Sequence, residues 1–202
     1  MKKEIYDCLL CGTPLNDSVT WKSLLGNEYP KTICAECENE FEPVLKTENS
    51  ADVISLFKYN DKMQDYLHRY KFMHDVVLAK VFRNQLRKHL SKRQEIIVPI
   101  PIHELKLKER TFAHIDELLI AANIPFKHFL EKLTIETQAQ KSREERINTP
   151  QLFKLKQNVS VKNKDIILVD DIITTGTTIK HAQNLLLQKG GRSVKAFTLI
   201  RG

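Results

Sequence analysis

The chain has 202 residues, 42% hydrophobic and 28% charged, with a formal net charge of +7. That length fits one ordinary domain, or one of about 150 residues with a small appendage, and the apolar fraction is enough for a core. No window approaches the roughly 18 to 20 consecutive apolar residues of a spanning helix, which excludes a membrane span, and the positive balance favours anionic partners such as nucleic acid or phosphorylated small molecules.

The N-terminal stretch "MKKEIYDCLLCGTP" lacks a sustained apolar segment and a small-residue cleavage site, so it reads as mature sequence and points to the cytoplasm. Cys8, Cys11, Cys34 and Cys37 are the only cysteines and form two C-x2-C pairs. Thiolates two residues apart in a tight turn reach one tetrahedral ion, and two such turns close a four-thiolate shell with no open position. The spacing therefore predicts a structural zinc, and a cytoplasmic setting disfavours disulfides. Composition changes near residue 45, giving an expected zinc-binding unit over 1–45 and an α/β unit over 46–202.

In the second unit, "DVISLFKY" (52–59) alternates as a strand does. Helical spacing over 63–90 predicts two pieces interrupted near Lys71 to Asp75. The basic run "RNQLRKHLSKR" (83–93) and a second one, "KLKQNVSVKNK" (154–164), read first as solvated faces. "EIIVPIPI" (95–102) reads as a buried strand, 115–124 as a helix, and 126–133 as a further strand or a short helix. Residues 137–150, polar and weakly patterned, are the best candidate for a mobile loop. "KDIILVDD" is a second buried strand; a helix over 178–190 ends on Gly190 and Gly191, and "SVKAFTLI" (193–200) is the last strand. Strand, helix and strand with such short connections make a parallel βαβ unit.

The stretch "IILVDDIITTGTTI" (166–179) carries the chemistry. A parallel strand ending in Asp170 and Asp171 presents two carboxylates at the edge where open α/β sheets bind ligands. Vicinal hydroxyls and a divalent cation satisfy such acids. Thr174, Thr175, Gly176, Thr177 and Thr178 then offer backbone N–H groups, hydroxyls, a glycine for close approach and the positive end of a helix, which together suit a phosphate. A Walker-type loop and a dinucleotide fingerprint are both absent. The residues describe a site for a phosphorylated ribose; the plainer reading, a threonine-capped helix after an acidic turn, explains only one or two of them.

"ILVDDIITTGTT" resembles the motif by which type I phosphoribosyltransferases bind 5-phosphoribosyl-1-pyrophosphate (PRPP). The two cysteine pairs, "YKFMHD" (70–75), "VPIPIHELKLKERTF" (98–112) and "TQAQKSREERIN" (137–148) narrow the resemblance to the ComF (ComFC) competence-protein family. It implies a type I phosphoribosyltransferase-like fold, Rossmann-like, with a mostly parallel sheet and flanking helices. It also implies that Asp170 and Asp171 hold the ribose hydroxyls with Mg²⁺ shared between those and the pyrophosphate, and that Thr174 to Thr178 wrap the 5′-phosphate. Pro101, Ile102 and His103 are then expected to face the pyrophosphate, with Lys106 or Arg110 neutralising it. Arg143 and Arg146, with Gln138 or Gln140, are expected to close over it, so that the acids and these arginines carry any catalysis.

Three departures stand beside the resemblance. Thr174 replaces the aspartate base of purine phosphoribosyltransferases. "RTFAH" (110–114) replaces the R-G-F-N-Q usual in ComF relatives. No C-terminal hood follows Gly202, and the zinc segment is expected to pack over the site instead. The family implies a role in natural transformation, with PRPP, single-stranded DNA and a helicase-like ComFA-type ATPase as partners, at the inner face of the membrane. The alternatives are an active phosphoribosyltransferase for an unidentified base and a non-catalytic adaptor for the ATPase. Tyr59, Tyr66, Tyr70 and Phe72 offer rings for stacking on bases, but their spacing suits a core better.

Overall fold

The computed structural model describes residues 5–15, 28–133 and 152–202. Arg143, Arg146, Gln138, Gln140 and the expected loop over 137–150 lie outside the described residues.

Four strands form one parallel sheet: β1 (Val53–Lys58), β2 (Ile96–Pro99), β5 (Asp165–Ile173) and β6 (Ser193–Arg201), in the order β1-β6-β5-β2. A separate antiparallel pair joins β3 (Leu130–Lys132) to β4 (Phe153–Leu155). The helices are α1 (Ala35–Asn39), α2 (Asp61–Phe72), α3 (Arg83–Leu90), α4 (Glu104–Arg110), α5 (His114–Ala121) and α6 (Thr177–Gln188). A 3₁₀ turn, Val76–Lys80, divides α2 from α3, close to the expected interruption. Of the two readings of 126–133, the strand is correct.

Strand alternation sorts the core onto two sides of the sheet. Ile167, Val169, Phe197 and Leu199 face a cluster built from α2, α3 and α5, in which Met63, Tyr66, Tyr70 and Phe82 are buried. Ile166, Leu168, Val194 and Ala196 face the other side, where α6 packs through Ile179, Ala182, Leu185 and Leu186, together with Phe129 and Phe153. Helix α6 ends as its glycines predict: Gly190 has φ +93°, its N–H bonds to Leu187, and the N–H of Gly191 bonds to Leu186.

Tyr66 and Tyr70 are core residues, whereas Tyr59 and Phe72 are exposed. The cysteine segment joins the first cluster through Cys8, Ile33, Cys37 and Phe41, and the Phe41 ring lies 4.9 Å from that of Phe82. Arg69 donates from its two terminal nitrogens to the carbonyls of Leu10 and Leu9, each at 2.9 Å. Asn84 exchanges hydrogen bonds with the backbone of Tyr29, over whose ring Arg83 sits at 4.6 Å. These contacts hold the segment against α2 and α3, not against the threonine turn. The expectation that it covers the ribose site gains no support from them.

Candidate functional site

Asp170 and Asp171 lie within β5, which continues to Ile173 with Asp170 paired to Thr198. The strand therefore runs two residues beyond the acids at which it is expected to end. Because adjacent strand residues point to opposite faces, the two acids belong to different sides of the sheet. Asp171 follows Ile167 and Val169 toward α2 and α5 and is buried; Asp170 follows Ile166 and Leu168 toward the α6 side and is half-buried.

On its side, Asp171 meets Lys71 of α2, whose ammonium is in ion-pair contact with Oδ2. That oxygen accepts no other hydrogen bond among the described residues. His114, the first residue of α5, places Nε2 3.6 Å from Asp171 Oδ1, and Arg110 Nη1 lies 3.2 Å from its Nδ1. A guanidinium only donates, so Nδ1 is the lone-pair nitrogen and the proton sits on Nε2, facing the acid. Burial, reinforced by Lys71, Arg110 and Lys106, pulls His114 down to about 2, so the ring is neutral. Burial and the charge of Arg110 lower Lys71 to about 8, which leaves it an ammonium at neutral pH.

Ligand atoms of His114, Asp170 and Asp171 fall within 4.8 Å of one another, close enough for a metal. Lys71 already supplies a cation there, and His114 presents N–H rather than a lone pair. The cluster therefore does not fit a directly bound divalent ion; it fits acids oriented to accept protons from hydroxyls. Asp170 Oδ1 accepts from the Asp171 N–H at 2.9 Å. Burial raises the Asp170 carboxyl to about 7 against the lowering fields of Lys71 and Lys132.

The threonine turn follows directly. Gly176, at φ +74°, is the N-cap of α6, and the left-handed backbone there suits glycine. The hydroxyls of Thr175 and Thr177 lie 2.9 Å apart, and the N–H groups of Thr175 and Gly176 enter no backbone hydrogen bond among the described residues. Hydroxyls, unpaired N–H groups and the start of a twelve-residue helix make an anion cradle beside the carboxylates.

The other expected residues divide. Pro101 and Ile102 line a cavity beyond β2 that also touches His114. His103 caps α4 by accepting from the N–H of Leu105. Lys106 is exposed on α4, whereas Arg110 is buried with its guanidinium against His114 and the ring of Phe72. Burial leaves Lys106 the more accessible of the two to an incoming pyrophosphate.

The four cysteine sulfurs also converge within 4.8 Å, with Cys11 Sγ and Cys34 Sγ 3.7 Å apart. Thiolates at about 2.3 Å from one tetrahedral ion stand roughly 3.8 Å from each other, so the cluster is compatible with zinc. The N–H of Cys34 donates to Cys8 Sγ, and Lys62 Nζ lies 3.6 Å from Cys37 Sγ. Hydrogen bonds with Thr13 draw Cys11 down to about 6, whereas burial and the other thiols push Cys37 up to about 12.

A model of the Phosphoribosyl transferase domain matches residues 116–202. The Competence protein ComFC of Streptococcus pneumoniae is 34% identical to this chain, covering 96% of it and 99% of that protein. The chain belongs to the ComFC competence-protein family. The ComFC of Bacillus subtilis is 30% identical and covers 96% of this chain and 94% of its own. A solved glutamine PRPP amidotransferase from Bacillus subtilis aligns with a TM-score of 0.43 at 20% identity, over 62% of this chain and 26% of that one. The parallel sheet with flanking helices and the N-terminal cysteine cluster agree with the phosphoribosyltransferase-like fold expected for ComFC relatives. Lys71 falls inside "YKFMHD", a stretch that carries the ComFC resemblance, and His114 inside "RTFAH", where the chain departs from it; neither shows its role in sequence because each acts through a contact distant along the chain.

Proposed function

We propose that this ComFC-family protein binds PRPP with Mg²⁺ and serves DNA uptake in natural transformation, handling single-stranded DNA beside a ComFA-type ATPase at the cytoplasmic face of the membrane. The observation that carries the reading is the continuity of the half-buried Asp170 on β5 with a turn whose N–H groups and hydroxyls lie at one helix start.

Asp170 accepts the ribose hydroxyl protons, and Asp171, tied to Lys71, fixes the strand that presents it. Thr174 to Thr178 bind the 5′-phosphate. Pro101 to His103 and Lys106 border the pyrophosphate, and Arg143 and Arg146 complete its neutralisation. Mg²⁺ brought in with PRPP would supply charge compensation for the pyrophosphate leaving group. Zinc at Cys8, Cys11, Cys34 and Cys37 holds the N-terminal segment. If turnover occurs, it is pentosyl transfer.

The competence role rests on the relatives named above. Exposed Phe72 and Tyr59 supply rings for base stacking. Calorimetric titration of PRPP with and without Mg²⁺, against wild type and Asp170→Asn, tests the reading. Binding that needs Mg²⁺ and falls at least tenfold in the variant is expected; no binding to wild type refutes it. Single-stranded DNA affinity should fall steeply as salt rises, and a flat response refutes phosphate-mediated binding.

A further inference from the structure

The four cysteines stand in two pairs, and helix α2 reaches both. Arg69, in its last turn, donates to the carbonyls of Leu9 and Leu10, which lie between Cys8 and Cys11. Lys62, in its first turn, directs Nζ to Cys37 Sγ at 3.6 Å and to Glu40 Oε1 at 2.9 Å. A helix rise of about 1.5 Å per residue sets the two cations' positions roughly 10 Å apart along the axis. One rigid element therefore holds one cysteine pair at each end.

The approach of Lys62 is fixed by the backbone around it. Asn60 caps α2 by accepting from the Met63 N–H at 3.0 Å, and its side-chain amide donates to the carbonyl of Glu40, the residue that ends α1, at 2.8 Å. Because α1 carries Cys37, this cap seats the start of α2 on the helix that bears the sulfur. The two acceptors of Lys62 differ in surroundings: the Glu40 side chain is 54% exposed, whereas Cys37 is 3% exposed. An exposed ion pair is worth little, so the buried sulfur is where the ammonium carries electrostatic weight.

A closed shell of thiolates around one Zn²⁺ carries an excess of negative charge, since each of the four cysteines brings one such charge and the ion offsets only half of them. Negative charge in a buried site is costly unless cations or hydrogen-bond donors face it. Two other contacts to the sulfurs are neutral: Cys8 Sγ accepts from the Cys34 N–H at 3.3 Å, and Cys11 Sγ lies 3.2 Å from the Thr13 hydroxyl. Lys62 brings a full positive charge on a group that only donates. Arg69 differs from it, because its guanidinium meets carbonyls and holds the turn without facing a sulfur.

We infer that Lys62 is a positioning residue of the metal centre: its ammonium, donating to Cys37 Sγ, offsets part of the thiolates' excess charge, tightens zinc binding and makes the start of α2 part of the metal site. The inference rests on the reading that the four cysteines bind zinc. A cation facing the sulfur favours the charged, metal-bound centre over the neutral thiols of the metal-free segment. Donors behind metal ligands also orient them, and Lys62 sets the position of Cys37 through the same contact. Zinc affinity and the packing of α2 are thereby linked at a named atom rather than through the hydrophobic cluster alone.

The test uses the full zinc-loaded chain, with zinc itself as the probe in competition with a chromophoric chelator. Wild type is measured first: a wild type that holds no zinc overturns the four-thiolate reading and this inference with it. Lys62→Met, which keeps the length of the side chain and removes its charge, should bind zinc more weakly by about tenfold or more and release it faster. Lys62→Arg, which keeps the charge and the donors, should stay within about threefold of wild type. Glu40→Gln and Arg69→Ala should also stay within about threefold, because neither takes a charge from a sulfur. In the cobalt-substituted protein the sulfur-to-metal charge-transfer band should move to longer wavelength in Lys62→Met and stay in place in Arg69→Ala, since a thiolate that loses its donor gives up electron density more readily. Zinc held as tightly by Lys62→Met as by wild type overturns the inference while leaving the four-thiolate reading intact. A loss that Glu40→Gln or Arg69→Ala reproduces, or that Lys62→Arg does not restore, assigns the effect to packing and overturns it as well, and an unmoved cobalt band overturns the donation to Cys37.

Discussion

Asp170 titrates near neutrality because it is half-buried with only the partial compensation of Lys71 and Lys132. Its folded pKa, about 7, lies above the ordinary value of 3.8. The unfolded chain therefore loses this proton first as pH rises. The group's contribution to stability is complete below about pH 4 and is lost as pH rises through 7. Ligand binding runs the other way, because ribose hydroxyls need the ionised carboxylate as acceptor. PRPP affinity, measured by calorimetry from pH 5.5 to 8.5, is expected to rise up to about tenfold per unit below pH 7 and to level off above it. Asp170→Asn should flatten the profile; an unchanged profile places the titrating group elsewhere. Asp171 invites a different experiment, since its ammonium partner is buried with it. Lys71→Met leaves a buried carboxylate beside a neutral imidazole and is expected to cost about 3 to 5 kcal/mol in urea denaturation. Lys71→Met with Asp171→Leu should recover most of that loss, and a double variant no more stable than the single one counts against the pair.

Element β5 shows how far pattern alone carries. The run from Ile166 to Val169 was legible as a buried strand because both faces of a parallel sheet are covered. Its continuation through Asp170 and Asp171 to Ile173 was not, because carboxylates in a strand read as its end unless partners elsewhere neutralise them. The neutralising cation, Lys71, stands on α2, and the neutral ring of His114 that faces Asp171 stands on α5. Helices α1 and α4 escaped sequence reading because five and seven residues are too few to show a period. The strand β4 has three residues and follows a segment with no pattern. The turn, in contrast, was readable as the connection from this strand to the next helix, because glycine takes the left-handed backbone found at Gly176. A Cβ at Gly176 meets Ile173 at 3.5 Å, an ordinary contact, so the cost of Gly176→Ala comes from backbone φ. Thermal or urea unfolding is expected to register about 1 to 2 kcal/mol, with a larger proportional loss in PRPP affinity than in stability. Equal losses indicate that the turn has no part in binding.

At the scale of the whole molecule, the cysteine cluster and the acid pair meet through α2. Arg69 grips the carbonyls of Leu9 and Leu10 inside the first cysteine pair's turn, and Lys71, two residues on, holds Asp171. Cys8 and Cys37 are buried in the same hydrophobic cluster as Tyr66 and Tyr70 of that helix. The spacing of the cysteines gave the metal reading, but nothing in spacing told which surface the segment would occupy; that depends on apolar contacts such as Phe41 on Phe82. A segment with so small a core of its own is expected to depend on a metal at the four cysteines to stay folded. Chelation should therefore expose the α2 side of the shared cluster and loosen the helix that carries Lys71. Removing zinc with a strong chelator is expected to lower the melting temperature by roughly 6 to 12 °C, equivalent to about 3 kcal/mol in a chain of this size. PRPP affinity should fall with it, although no cysteine lies at the acids. Arg69→Ala separates the two causes: it should retain zinc by metal analysis, yet weaken PRPP binding by a smaller factor than chelation does. If chelation leaves PRPP affinity intact while the cysteine segment unfolds, α2 holds Lys71 in place by its packing on the sheet alone, and the two sites are independent.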